Sequence, residues 1–345
     1  MNNKLWTTWT LALLSTFTSQ LSTSFAQGSL APPGAPAPTM KSLVQIEPRT
    51  PISSLPFSIT NAGAYYLTTN LVGVTNANGI TISASHITLD LNGFALLAVP
   101  GSTAIQSGIY VAGTYTNLTV RNGTVSGWFG SGVDAYSGGA SRNVAIERLT
   151  VSANLAGYGI AVQAGSAVRD CLAQNNATGI LAYGALVSGC AARDNTEVGI
   201  EAHDSQVRGC RTEANGGDGI AAYSSAVLDC FALSNRTDGI YLGASGCQII
   251  GNICSGNNTA GAAAGSGIYV DFFSSHNRIE ANHLTANTSA GITIVTGSTN
   301  NFIVQNTVSG NGLGNYGTIP AGNAFGPIVT ATGMITNNGW ANFSY

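Results

Sequence analysis

Five Gly-Ile dipeptides recur every twenty residues, at Gly159-Ile160, Gly179-Ile180, Gly199-Ile200, Gly219-Ile220 and Gly239-Ile240. Between them runs a second mark: Val168/Cys171/Asn176, Val187/Cys190/Asn195, Val207/Cys210/Asn215 and Val227/Cys230/Asn235. A unit this short cannot enclose a core alone. It must bury its apolar side against the next copy, which makes the chain a solenoid. The first and third positions after each Gly are apolar, as in Ile200/Ala202 and Ile240/Leu242, while the positions between them vary. That is the period of a strand with one buried face. The repeats are poor in Lys, Glu, Leu and Met and rich in Gly, Asn, Thr and Ser, a composition for corners rather than helices. Ten Gly-Ile or Gly-Val marks fall between Gly79 and Gly291. They predict an all-β β-solenoid of about ten coils, its equivalent strands paired in parallel, on the order of 50 Å long.

The second mark continues past the cysteines, with Asn in the Cys slot: Ile249/Asn252/Asn257, Ile279/Asn282/Asn287 and Ile303/Asn306/Asn311. Ile146/Leu149/Asn154 precedes them. Two columns are therefore expected along the rod. One runs Leu149, Cys171, Cys190, Cys210, Cys230, Asn252, Asn282, Asn306; the other is Asn from Asn154 to Asn311. Stacked Asn side chains hydrogen-bond to one another and to corner backbone, a structural role. Four cysteines in one column lie within bridging distance of their neighbours, or are a run of small buried apolar groups. Cys247 and Cys254, in one coil, could also pair with each other. No metal site is expected, since the column has no His partner.

Charged residues are only 8%, against about 25% in globular domains. Stacking explains this, because each outward side chain sits beside its equivalent and like charges repel. With a net charge of −3 and no basic stripe, nucleic acid is excluded as an electrostatic partner. Residues 1–26 read as a secretory leader: Lys4, then Leu11-Ala12-Leu13-Leu14, then Ser24-Phe25-Ala26 as a small-x-small cleavage site. No later run is long and apolar enough to span a bilayer. The expected location is secreted, periplasmic or at the cell surface. Residues 27–54 read as a Pro/Ala-rich tether and irregular segment, 55–326 as the solenoid with an N-terminal covering at its start, and 327–345 as a C-terminal cap.

The outward positions after each Gly-Ile form two further columns. The first is Tyr110, Ala161, Leu181, Glu201, Ala221, Tyr241, Tyr269, Thr293; the second is Ala112, Gln163, Tyr183, His203, Tyr223, Gly243, Asp271, Val295. They place Tyr183, Glu201, His203, Tyr223 and Tyr241 together. Tyr183, Tyr223 and Tyr241 are candidate carbohydrate-binding residues, and Glu201 with His203 a candidate acid–base pair. Aromatic residues also simply favour strands and stack across them. Asp218 and Asp238, one coil apart, are a second catalytic candidate: they could hold a cation such as Ca²⁺, share a proton, or merely suit a corner before Gly. Apart from that cation, no cofactor is expected. Arg193, Arg208 and Arg211 are expected to pair with neighbouring acids.

The Gly-Ile and Asn/Cys repeats, with Leu89-Asp90-Leu91-Asn92-Gly93 at the start, resemble the right-handed parallel β-helix repeat proteins exported by bacteria. That superfamily includes pectate lyases, polygalacturonases and alginate epimerases. The resemblance covers roughly residues 55–345 and implies a single-stranded right-handed parallel β-helix with terminal caps. It implies no established active site. The lyases use an outward Lys or Arg beside a Ca²⁺-binding acidic cluster, and the coils here contain no Lys. No set of Asp with His and Lys matches the polygalacturonases, and the epimerase Asp-Pro-His motif is absent. The expected function is non-catalytic binding of extracellular polysaccharide or a structural role at the cell surface. The alternative is a polysaccharide lyase or glycoside hydrolase with an atypical site on the outer sheet face.

Overall fold

The computed structural model describes residues 47–103, 105–259, 265–330, 332 and 336–345. The stretch expected to be a leader, most of the Pro/Ala-rich segment and residues 260–264 lie outside them. No α-helix occurs among the described residues. The strands form two parallel sheets, one of eleven strands and one of twenty-four. The eleven strands agree with the expected count of about ten coils.

Each twenty-residue coil lays down three strands. One example is Ile200–His203, then Gln206–Arg208, then Arg211–Glu213. The first joins the eleven-stranded sheet and the other two join the larger one. The Gly-Ile marks set the register: Ile80, Ile109, Val133, Ile160, Ile180, Ile200, Ile220, Ile240, Ile268 and Ile292 pair in sequence. All are fully buried. On the larger sheet the matching inward column runs Ile146, Val168, Val187, Val207, Val227, Ile249, Ile279, Ile303. β-branched side chains stacked on themselves fill the interior layer by layer, which suits a parallel sheet buried on one face.

Both expected ladders are present. In the Asn column each backbone N–H and each side-chain amide donates to the Oδ1 of the next coil. Asn195 N and Nδ2 reach Asn215 Oδ1 at 3.2 and 2.9 Å, and Asn215 repeats this on Asn235 at 3.2 and 2.9 Å. The second Nδ2 proton goes to a strand carbonyl, Ala192 O for Asn215. The corner donors of Asn195 and Asn215 are thereby satisfied without water. The N-terminal end of this column is closed by Trp128, buried, whose N–H donates to Asn154 Oδ1.

The Cys column passes into Asn where Cys230 N donates to Asn252 Oδ1, and it continues beyond Asn306 to Asn342. The segment from 327 thus takes part in the ladder: Asn342–Ser344 pairs with Thr307–Ser309. At the other end, Thr50–Ile52, in the segment that reads as irregular, and Phe57–Ile59 are strands of the first coils. A third ladder was not anticipated. It runs Ser205, Ser225, Cys247, Asn277, Asn301, Asn323 at the corner after the eleven-stranded sheet. Its letters change along the rod, but the members from Ser205 to Asn301 each sit two residues before an inward Val or Ile, and Asn323 two before Phe325. That offset is the signal that locates it.

All six cysteines are buried and free. In the four-member column each thiol points at strand carbonyls in the same way, Cys190 at Val168 O and Cys210 at Val187 O, and no bridge joins neighbouring sulfurs. Cys247 and Cys254 do not pair either. Cys247 belongs to the third ladder and Cys254 to an inward column beside Ala232 and Leu284. Hydrogen bonding from Cys171 lowers the Cys190 thiol, but bonding to Cys210 and burial outweigh it and push that thiol up to about 12, far from a reactive thiolate.

Candidate functional site

Strand alternation sends Glu201 and His203 out of the same face of the same strand. His203 Nε2 meets Glu201 Oε1 at 2.9 Å. Register then sets Tyr183 and Tyr223 beside His203 on the neighbouring coils. The imidazole lies flat between the two phenol rings, 4.1 Å and 1° from Tyr183 and 4.4 Å and 6° from Tyr223. Tyr136 extends the pile on the Tyr183 side at 5.2 Å, while Tyr223 meets Tyr241 edge-on at 6.1 Å. Tyr241 and Tyr269 stack in turn, and the Tyr241 hydroxyl donates to the Asp271 carboxylate. Gly243 leaves a bare slot in the column. A Cβ there would stand 2.3 Å from Tyr223 Cε1, so the Tyr223 ring lies over open backbone.

This geometry changes what the tyrosines can offer. Rings stacked at such distances cover one another's faces, so His203 is only 20% exposed and presents a rim. Five coils therefore present a row of ring edges, phenol hydroxyls and carboxylates. A cavity of about 480 Å³ opens where the row ends, lined by Tyr110, Asp134, Tyr136 and Tyr158. A smaller one of about 230 Å³ follows Tyr158, Thr178 and Glu197 along the same edge. A third, of about 590 Å³, lies on the corner of Ser166, Ser205 and Ser225 and contains none of these rings.

The strands of this sheet contain no Lys or Arg. Arginines sit on the other faces with partners: Arg211 on Glu213 at 3.0 Å, Arg208 on Asp229 at 3.4 Å, and Arg193 on Gln174 at 2.8 Å. Arg208 thus pairs across coils rather than with Asp204, and Arg193 with an amide rather than an acid. Burial pushes the Tyr183 phenol up to about 12, helped by Tyr136. Burial also raises Tyr223 and Tyr241, with Asp271 adding to both. These hydroxyls are protonated donors at any ordinary pH.

Asp218 and Asp238 lie one coil apart at the start of these strands, and each acts as a corner cap. Asp218 Oδ1 accepts from Asp238 N at 3.0 Å and from the Thr237 hydroxyl. Asp238 Oδ1 accepts from Ser266 N. Among the described residues no group of three His, Cys, Asp or Glu side chains could hold a metal ion. Burial, then the charge of Asp218, raises the Asp238 carboxyl to about 8. Burial raises Asp218 as well.

A pH dependence follows. The unfolded carboxyl ionises near pH 4 and the folded one at about 8, so between these values the folded protein holds an extra proton. Stability contributed by Asp238 therefore falls as pH rises through that window and levels off above it. Asp238→Asn keeps the acceptor for Ser266 and removes the titration. Urea midpoints at about pH 5 and about pH 8 should decline less steeply for Asp238→Asn than for the natural protein. Equal declines would rule out a buried, protonated Asp238.

The predicted residues Tyr183, Glu201, His203, Tyr223 and Tyr241 are in mutual contact, while Asp218 and Asp238 form a separate buried row beside them. Sequence reading missed Asp134 and Tyr136. Asp134 pairs between Tyr110 and Ala161 in the first outward column. Its coil is marked by Gly132-Val133 and lies among longer, irregularly spaced repeats. Counting outward positions from that mark reaches both residues.

No curated protein sequence matches this chain. Among solved structures the Dettilon tailspike protein superposes with a TM-score of 0.63 at 16% identity, covering 79% of this chain and 62% of the tailspike chain. This chain therefore spans under two thirds of that protein's length. The A-module of the Azotobacter vinelandii mannuronan C-5 epimerase AlgE6 gives a TM-score of 0.60 at 17% identity, covering 82% of this chain and 91% of that one. The AlgE4 A-module gives 0.57 at 17%, covering 82% and 86%. At such identities the likeness speaks for the fold. The family described as a right-handed beta helix region matches residues 58–185, 107–253 and 187–338. With the coil register agreeing throughout this span, the chain belongs to the right-handed β-helix family.

Proposed function

We propose that the protein binds a polysaccharide laid along the outer face of the eleven-stranded sheet, without cleaving it, outside the cytoplasm where segment 1–26 would direct it. The observation that carries this reading is the unbroken outward row Tyr183, Glu201–His203, Tyr223, Tyr241, Asp271 on successive coils. A row repeated at strand spacing, about 4.8 Å, offers an extended polymer one set of donors and acceptors after another. One similar solved structure is an enzyme named for a polysaccharide, mannuronan, so the fold is compatible with such a ligand.

Hydrolysis or elimination is the weaker reading. It draws on the Glu201–His203 contact and on the protonated Asp238. However, Asp238 is 6% exposed, with an oxygen turned to Ser266 N, which leaves it badly placed to reach a glycosidic oxygen.

The test is retention on a panel of polysaccharides, with reducing ends and unsaturated uronates followed in the same tubes. Retention without products is expected, with Glu201→Gln and Tyr241→Phe each weakening it about five- to ten-fold. Release of products, abolished by Glu201→Gln, would replace the binding role with a catalytic one.

A further inference from the structure

Beyond the tyrosine row, the coil that follows Tyr269 raises two phenylalanines into solvent. Phe272 is 59% exposed and Phe273 is 80% exposed, their ring centroids 6.4 Å apart at 44°. Unlike the stacked rings, they are not covered face to face. They form the tip of a turn fastened on every side. Ser274 N donates to Asp271 O at 3.2 Å, the Ser298 hydroxyl donates to the same carbonyl at 2.6 Å, and the Ser274 hydroxyl donates to Leu242 O at 3.3 Å. Ser275 N donates to Ser245 Oγ at 2.9 Å. The pair is held out rather than left loose.

Phe273 has φ +57, in the left-handed region. The next coil makes the same turn, Ser298 N to Val295 O at 3.2 Å, and places Gly297, φ +99, at the equivalent position. Glycine is the residue this turn asks for. The left-handed conformation recurs at many corners of this chain, and at Phe273 it is taken by a bulky aromatic residue that such turns ordinarily avoid. The turn also continues the tyrosine row, since Asp271 at its start accepts from the Tyr241 hydroxyl.

We propose that Phe272 and Phe273 are a platform on which an uncharged sugar ring of the bound polysaccharide stacks; this rests on the glycan reading of the sheet face. A pyranose presents an apolar C–H face, which packs on a free aromatic face. The sugar is uncharged because Asp271 adjoins the platform and the sheet strands supply no Lys or Arg to hold a uronate.

The experiment is affinity electrophoresis through gels containing a soluble β-glucan, a galactomannan, a dextran or mannuronan. The full protein is compared with Phe272→Ala, Phe273→Ala and Phe273→Gly, with melting temperatures measured alongside. The natural protein should be slowed by a neutral polymer and not by mannuronan, and each variant should lose about five-fold in affinity. Phe273→Gly should melt no lower than the natural protein, since it relieves the turn, so its lost retention is not misfolding. Retention equal in all four proteins would sink the platform and leave the glycan site standing. Retention on mannuronan alone would overturn the uncharged class. No retention of the natural protein on any polymer would remove both readings. Self-association without glycan, lost in the Phe variants, would make the pair a protein contact and overturn the proposal.

Discussion

Asn215→Ala is expected to lower stability by about 3–5 kcal/mol, because it strands several buried groups at about 1–3 kcal/mol each. Asn215 is 1% exposed. Its Oδ1 accepts from both the backbone and the side chain of Asn195, and its Nδ2 donates to Ala192 O and Asn235 Oδ1. Alanine leaves the Asn195 N–H and one Asn195 amide proton without an acceptor, and Ala192 O loses a donor. Water cannot replace them at a corner buried by coils above and below. Urea denaturation should show a lower midpoint and, because the break falls mid-rod, a broader transition as the two halves lose their coupling. A loss under about 1 kcal/mol would reduce the ladder to an ornament of the repeat.

Gly219→Ala is expected to cost about 3 kcal/mol, through overpacking rather than lost bonds. A Cβ at this position would stand 2.6 Å from Asn235 Nδ2, from Gly239 O and from Thr212 Oγ1. One of those atoms is backbone of the next coil and another belongs to the Asn ladder, so none can retreat without breaking pairing. The recurring Gly before Ile is therefore where the chain turns its corner against its own ladder. Gly209 gives the contrast. It has φ +60 with nothing within 4 Å, so alanine there meets only the left-handed penalty of about 1 kcal/mol. Thermal melts of the two variants should differ clearly, with Gly219→Ala the lower. Equal melts would show that the corner has slack.

Much of this was legible because the architecture repeats. Gly219-Ile220 and its equivalents carry both the corner and the buried strand position, so spacing alone gave register, ladders and outward columns. Where a slot changes its letter, as at Ser225, Cys247 and Asn277, no single residue type marks the ladder. The orientation of rings was also beyond a pattern of letters. Tyr183 and Tyr223 were placed beside His203 by counting, but whether their faces or their rims meet solvent depends on side-chain rotation. The Phe272-Phe273 turn stayed hidden because an insertion between the regular marks shows no period, and a left-handed phenylalanine runs against turn preference.

The outer face of the eleven-stranded sheet is where the glycan should lie, and the His203 ring reports on that face directly. The chain has four histidines, and His86 and His283 lie off this sheet. Imidazole resonances recorded by NMR while titrating in the polysaccharide that the protein retains should show the His203 signal moving, the same signal missing in His203→Phe. The signals of His86 and His283 should stay in place. A His203 signal unmoved at saturating glycan, with retention intact, would put the polymer on another face and contradict the account.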